Sequence, residues 1–244
     1  MSPAKGIGLL FLVLLLSQSS SQEKSRVYDF PIKGGTKEWK AFQTHEEMLN
    51  AVQIPDNILK SMNTEDLVQT CLNYPLFPDM WAFSNLQKGF EQVHEGFNGL
   101  QELFKRDAVC DILIARYESM DPEAFSQNWP ALAIGKYVAE IAKIEIMLAQ
   151  DCLLDKLTME KRRYLLKKVV EKYQKIRKHD DVYGINSLEP NVFLMGKLLK
   201  VLRSTELDQH LKENKKLDIF LRAGSRLSDD TMRDVVSSAA TYLK

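Results

Sequence analysis

From Thr44 to Leu243 apolar side chains recur at three- and four-residue spacing almost without interruption, and no segment alternates apolar and polar residues for long. A helix brings every third and fourth side chain to one face, whereas a strand alternates its faces, so this pattern admits helix and disfavours sheet. Asn98-Gly99 is a dipeptide that turns hairpins, but the segments on both sides of it read as helix. The expectation is an all-α fold of about ten helices, packed as helix hairpins in an irregular bundle or a layered array. No clean repeat of roughly 30 to 45 residues is visible, so a solenoid is not called for.

Local punctuation divides the helical run. Thr44 with Glu47 forms a capping box, and Pro55 ends that helix and suits the first turn of the next. Asn63 caps a third helix that Pro75 stops. The stretch from Pro78 to Arg106 reads as two helices broken near Gly96 or Gly99, and Asp107 as the cap of a helix through Tyr117. A long helix is expected from Trp129 to Leu154, with Leu132, Val138, Ile141, Met147 and Leu148 turned to the core. Thr158 opens another that reaches His179, a turn follows at Asp180 to Gly184, and helices are expected at Glu189 to Arg203, Glu206 to Leu221 and Ser228 to Leu243. Residues 22–43 read instead as an extended strap, because Pro31, Gly34 and Gly35 forbid a long helix there. Residues 44–244 form a single helical domain.

The first residues carry a different signal. Lys5 precedes an uncharged apolar run from Gly6 to Leu16, and small polar residues Ser17 to Ser21 follow. This order is that of a secretory signal peptide over residues 1–21, and the run is shorter than the roughly 20 apolar residues that span a bilayer. The chain is therefore expected to be exported, to the periplasm or the medium. Ala131 to Leu154 is the greasiest later stretch, but Lys136, Glu140, Lys143, Glu145 and Asp151 interrupt it, so no transmembrane segment is expected in the mature chain. Three cysteines, Cys71, Cys110 and Cys152, allow one internal disulfide at most, and their apolar surroundings read as burial.

Charge is balanced over the whole chain but not along it. Residues 22 to 154 hold 12 Lys and Arg against 20 Asp and Glu, and residues 155 to 244 hold 20 against 13. Attraction between the two halves is the economical reading. Ten of the basic residues fall between Lys156 and Lys178, which reads as a solvated helix face rather than a nucleic-acid stripe.

Chemistry-bearing motifs are absent or incomplete. His45-Glu46-Glu47 and His94-Glu95 lack the second histidine one turn on, since position 49 is Leu and position 98 is Asn. No Gly-x-Ser-x-Gly elbow and no phosphate-binding glycine loop occurs. The reading assigns no catalytic residue, no metal and no cofactor. The most unusual composition is Tyr74-Pro75-Leu76-Phe77-Pro78-Asp79-Met80-Trp81-Ala82-Phe83, four aromatic rings and two prolines at a junction between helices. Such a corner either plugs a core or presents rings to a partner. On the second reading Tyr74, Phe77 and Trp81 are the partner-binding anchors, stiffened by Pro75 and Pro78, while Met80 and Phe83 share another face.

The segment from Ser61 to Lys105, most distinctively Thr70-Cys71-Leu72-Asn73-Tyr74-Pro75-Leu76, resembles a stretch of uncharacterised exported proteins of Bacteroidetes-type bacteria. The resemblance implies a helical domain in or beyond a Gram-negative envelope, and it brings no site residue with it. The functional expectation is a helical interaction module for a protein or peptide partner, with a small-ligand or glycan binder and then a hydrolase as alternatives. Export is testable directly: mass spectrometry of the secreted species should find a first residue between Ser20 and Glu23, and an intact Met1 would contradict cleavage.

Overall fold

In a computed structural model of the chain, eight helices begin on a short polar side chain that accepts a hydrogen bond from a first-turn backbone N–H: Thr36, Thr44, Asn63, Asn85, Thr158, Ser204, Asn214 and Ser228. Each satisfies a donor that its helix cannot pair internally. The structure describes residues 27–124, 129–183 and 187–244; 72 % of these are helical and none is in a strand. The expected all-α class is the observed one. In chain order the elements are α1 (Lys37–Ala41), α2 (His45–Ala51), α3 (Asp56–Ser61), α4 (Thr64–Leu72), a 3-10 helix (Phe77–Ala82), α5 (Leu86–Gly96), α6 (Asn98–Leu103), α7 (Val109–Ser119), α8 (Ala131–Leu148), α9 (Asp151–Leu154), α10 (Met159–Ile176), α11 (Asp180–Tyr183), α12 (Leu188–Val201), α13 (Thr205–Glu213), α14 (Lys215–Ala223) and α15 (Asp229–Tyr242). The segment 1–21 read as a signal peptide lies outside the described residues, as does Gly184. No helix of the described residues is long and apolar enough to cross a membrane.

There are more helices than expected because side chains cut several of the long ones. The helix expected to run to Leu154 stops at Leu148, where Gln150 turns extended. The Gln150 side chain donates to the Ile146 carbonyl at 2.9 Å, taking the acceptor that its own backbone N–H would have used. Asn214 breaks the segment 206–221 by accepting from the N–H groups of Lys216 and Leu217 while donating to Asp234 at 2.7 Å. The break between α5 and α6 falls on Phe97, whose extended backbone sends its ring into the core. Asp107 does not cap α7: Ala108 stands before its first residue with helical dihedrals, and no side chain caps it. The turn expected at 180–184 contains the single helical turn α11. Within the strap, Thr36 caps the five-residue α1, and the extended part is fastened where the Tyr28 N–H donates to Thr70 Oγ1 at 3.0 Å.

Helix α12 lies at the centre. Every residue from Pro190 to Leu199 is buried, and α8, α10 and α15 pack around it. A helix apolar on all sides has no face to give to water, so the other helices assemble about it. On the N-terminal side α4 packs on α6 and α7, and α7 carries that layer onto α8. Among the described residues one main cluster of buried side chains runs through both parts, with a small satellite of Ile176, Tyr183 and Leu188.

The 3-10 helix is clamped against α5 by the absence of a side chain. A Cβ on Gly89 would stand 2.1 Å from the Met80 carbonyl oxygen, which is backbone and cannot swing away. Gly89→Ala should therefore destabilise by about 1–3 kcal/mol, as overpacked sites do. Gly135→Ala, where a Cβ meets nothing within 4 Å, should stabilise by about 0.5–1 kcal/mol through helix propensity. Urea midpoints of the two variants, moving in opposite directions, are the check.

Candidate functional site

The aromatic corner is split between core and surface. Tyr74 stacks on Phe97 with ring centroids 3.9 Å apart and lies 6.0 Å from Phe30. Phe77 and Met80 are fully enclosed. Tyr74 and Phe77, expected as partner anchors, are instead buried, and their rings close the core. Trp81 alone of the three is open to solvent, at 45 % exposure. The cause is the 3-10 geometry of Phe77–Ala82, in which residues three apart eclipse each other. Phe77 and Met80 therefore share the inward face and Trp81 points away. Phe83 lies beyond the end of the 3-10 helix on extended backbone and is exposed, so it does not share the face of Met80.

Trp81 stands between two clefts. One, of about 630 Å³, runs between Trp81, Phe83 and Asn85 on one side and Val138, Glu189 and Arg226 on the other. The second, of about 620 Å³, lies on the other side of Trp81, against Phe30, Pro75, Pro78, Leu132 and Lys136. Both clefts share Trp81, Gly135 and Ala139. They form one trough along the first half of α8, with the indole as its partition. No residue of α8 from Ala131 to Glu140 is fully buried, whereas six of the next eight are apolar and enclosed. Leu132, expected in the core, is 71 % exposed on this half. Helical period placed it on the apolar stripe, but among the described residues no packing encloses it. Gly135 was the available signal, because a glycine in a helix interior costs stability unless its missing side chain leaves room for something.

A third, smaller cleft of about 190 Å³ opens beyond Phe83, beside Tyr74, His45 and Asp79. His45 Nε2 stands 3.7 Å from Asp79 Oδ2. Burial raises the Asp79 carboxyl above its ordinary value, against the pull of His45, and burial with the Asp79 charge raises the Tyr74 phenol.

The basic face of α10 is answered from within the molecule. Lys161 meets Asp111 at 2.5 Å, Lys168 meets Glu118 at 3.5 Å, and Lys175 meets Asp121 at 2.9 Å. The charge asymmetry along the sequence thus appears as pairs across α7, α10 and the turn after α7. The deepest polar cluster lies where these helices meet α8 and α12. Glu145 Oε1 accepts from Tyr117 Oη at 2.7 Å and from Asn191 Nδ2 at 2.8 Å, and all three residues are enclosed. Burial pushes the Glu145 carboxyl up to about 7, opposed by those hydrogen bonds and by Lys172. Burial lowers Lys172 to about 8, opposed by Glu145 and Asp121. Sequence reading passed over Glu145 as one of the charges on a half-exposed helix, since nothing local distinguishes it from Glu140.

Among the described residues no three His, Cys, Asp or Glu side chains gather as a metal would require. Cys71, Cys110 and Cys152 are free thiols; the first two are buried as expected, and Cys152 is exposed. Cys110 donates to the Leu153 carbonyl at 3.4 Å. The chain matches no known family, no curated protein and no solved structure.

The split of the corner predicts opposite mutant behaviour. Phe77→Ala should cost about 3–5 kcal/mol, as large aromatic truncations in cores do, and Trp81→Ala less than about 1 kcal/mol. Urea unfolding of the two variants separates these outcomes, and an early-unfolding Trp81→Ala would place the indole in the core.

Proposed function

We propose that this chain is an exported helical interaction module that binds a protein or peptide segment in the trough along α8. The observation that carries the reading is the incompletely covered first half of α8 beside Trp81, with cleft space on both sides and open space over Gly135. Grooves of this kind take the apolar face of a helix or extended segment, and exposed tryptophans are where binding energy concentrates. The size of the two clefts suits side chains inserted on either side of the indole. Lys136 and Arg226 stand in the walls, and neither has an ion-pair partner among the described residues. A segment that carries acidic residues beside its apolar anchors therefore fits best. The trough lies on rigid helical backbone, which keeps the ordering cost of binding low.

The test is selection of peptides from a display library on the tagged domain, followed by calorimetry. Peptides with an apolar anchor and an acidic flank should emerge, and Trp81→Ala and Gly135→Leu should each weaken them at least about tenfold. Ile219→Ala, a change at an exposed apolar side chain on α14, should leave binding intact. Peptides indifferent to both trough variants would overturn the site. Glycans that bind in the same assay and are lost on Trp81→Ala would turn the reading to the glycan alternative.

A further inference from the structure

The buried cluster around Glu145 is one hydrogen-bond donor short. Tyr117 supplies one hydrogen, which goes to Glu145 Oε1 at 2.7 Å. Asn191 Nδ2 supplies two, and three acceptors lie within reach: Glu145 Oε1 at 2.8 Å, the Val169 carbonyl at 3.3 Å and Tyr117 Oη at 3.3 Å. Among the described residues, Glu145 Oε2 and Asn191 Oδ1 then remain as acceptors with no partner, both fully enclosed. Two unsatisfied oxygens in one buried cluster are costly, and a proton on the carboxyl turns one of them into a donor. Lys172 does not supply the missing hydrogen. Its Nζ donates to the Met120 carbonyl and lies 4.7 Å from the centre of the Tyr117 ring, with no ion pair to Glu145 among the described residues.

We propose that Glu145 carries a proton in the folded protein on the acid side of neutrality and that its loss to solvent releases the Met120–Pro122 turn, making the cluster a pH-sensitive latch. An ionised Glu145 attracts the nearest ammonium, which is the one that holds Met120. Moving Lys172 inward frees the Met120 carbonyl at the start of a turn that Tyr137 and Tyr183 hold through the carbonyls of Asp121 and Pro122. The groups that face Glu145 come from every side. They are Tyr117 on α7 and Lys172 on α10, with Tyr183 on α11 at longer range and the uncharged Asn191 on α12. Of the other charges on these helices, Arg116 is engaged with Glu140, Lys143 with the Leu72 carbonyl, and Lys197 with Asp151. Packing of α4, α5 and α9 on α8 puts no charge on Glu145 among the described residues.

The sign follows from linkage. A carboxyl raised on folding contributes stability that is complete below its ordinary value and is lost as pH rises toward and through the raised one, here from about 4.5 to about 7. Lys172, lowered on folding, acts on the alkaline side: its contribution is present above its ordinary value and is lost as pH falls through about 8. Measurements between pH 5.5 and 7.5 therefore read Glu145.

The experiment compares the full chain with Glu145→Gln, which keeps the Oε1 acceptor and puts an N–H donor in place of the unpartnered Oε2. The two proteins should unfold at similar urea concentrations at pH 5.5. By pH 7.5 the parent should lose on the order of tenfold in its folding constant relative to the variant. The protection of the Met120 and Ala124 amides, taken relative to the ordinary base-catalysed exchange at each pH, should fall over the same range in the parent only. A variant weaker than the parent by the same factor at both pH values, or a parent that gains on it as pH rises, would overturn the protonated acid. Equal exchange in both proteins would overturn the latch. Infrared spectra of the parent keep the proposal falsifiable if the variant does not fold: a protonated-carboxyl band should be present at pH 6 and gone by pH 8.5, and its absence at pH 6 overturns it.

Discussion

The hydrogen bonds of Asn191 are the point on which the packing turns. Asn191 lies on α12, the helix that meets other helices on every side, so its amide cannot reach water. A buried amide without partners costs about 1–3 kcal/mol, and its partners here come from three other helices: Tyr117 on α7, Glu145 on α8 and the Val169 carbonyl on α10. Apolar packing alone tolerates sliding of one helix along another, because many registers bury similar area. A directional amide between three neighbours does not. The central polar cluster therefore selects one register from the many that the apolar stripes would accept.

That selection has a consequence at the surface. Glu145 holds the second half of α8 in the core, and the first half of the same helix continues past the edge of its neighbours. The trough beside Trp81 exists because one helix belongs to two environments. On the other side of the cluster, the lysines of α10 pair with acids of α7 and of the turn after it. Pairs at an exposed surface contribute little each, typically 0 to about 1 kcal/mol. Their alignment on one side of α10 nevertheless agrees with the register that Asn191 imposes, and consistency between levels of this kind is what gives a chain one native arrangement.

Local features of this chain were legible where the physics is local. Thr44, Asn63, Thr158 and Ser228 cap helices because a short oxygen beside a free N–H needs nothing from the rest of the molecule. The break near Gly96 was legible as a place, though not its cause, and the breaks at Gln150 and Asn214 were not legible. Gln150 leaves the helix with its side chain also held by Gln87, 63 residues away, Asn214 is held by Asp234, and Phe97 by stacking on Tyr74. The corner from Tyr74 to Phe83 shows both cases. Its rings and prolines marked it as unusual, and its Trp81 was correctly set apart from Met80. Which rings would be enclosed depended on where α5 came to rest, and Gly89 decided that by letting the 3-10 helix approach to backbone contact.

The sequence by itself determined the helical class, most helix starts, and the separation of an acidic first part from a basic second part. These follow from side-chain period, capping geometry and charge, all of which act within a few residues or in the sum over many. Only the tertiary structure decided that Leu132 faces water, that Tyr74 and Phe77 do not, and that Glu145 differs from Glu140. Burial belongs to no single segment. A side chain is enclosed only when remote helices arrive over it, and both the openness of a groove and the proton affinity of an acid follow from that enclosure.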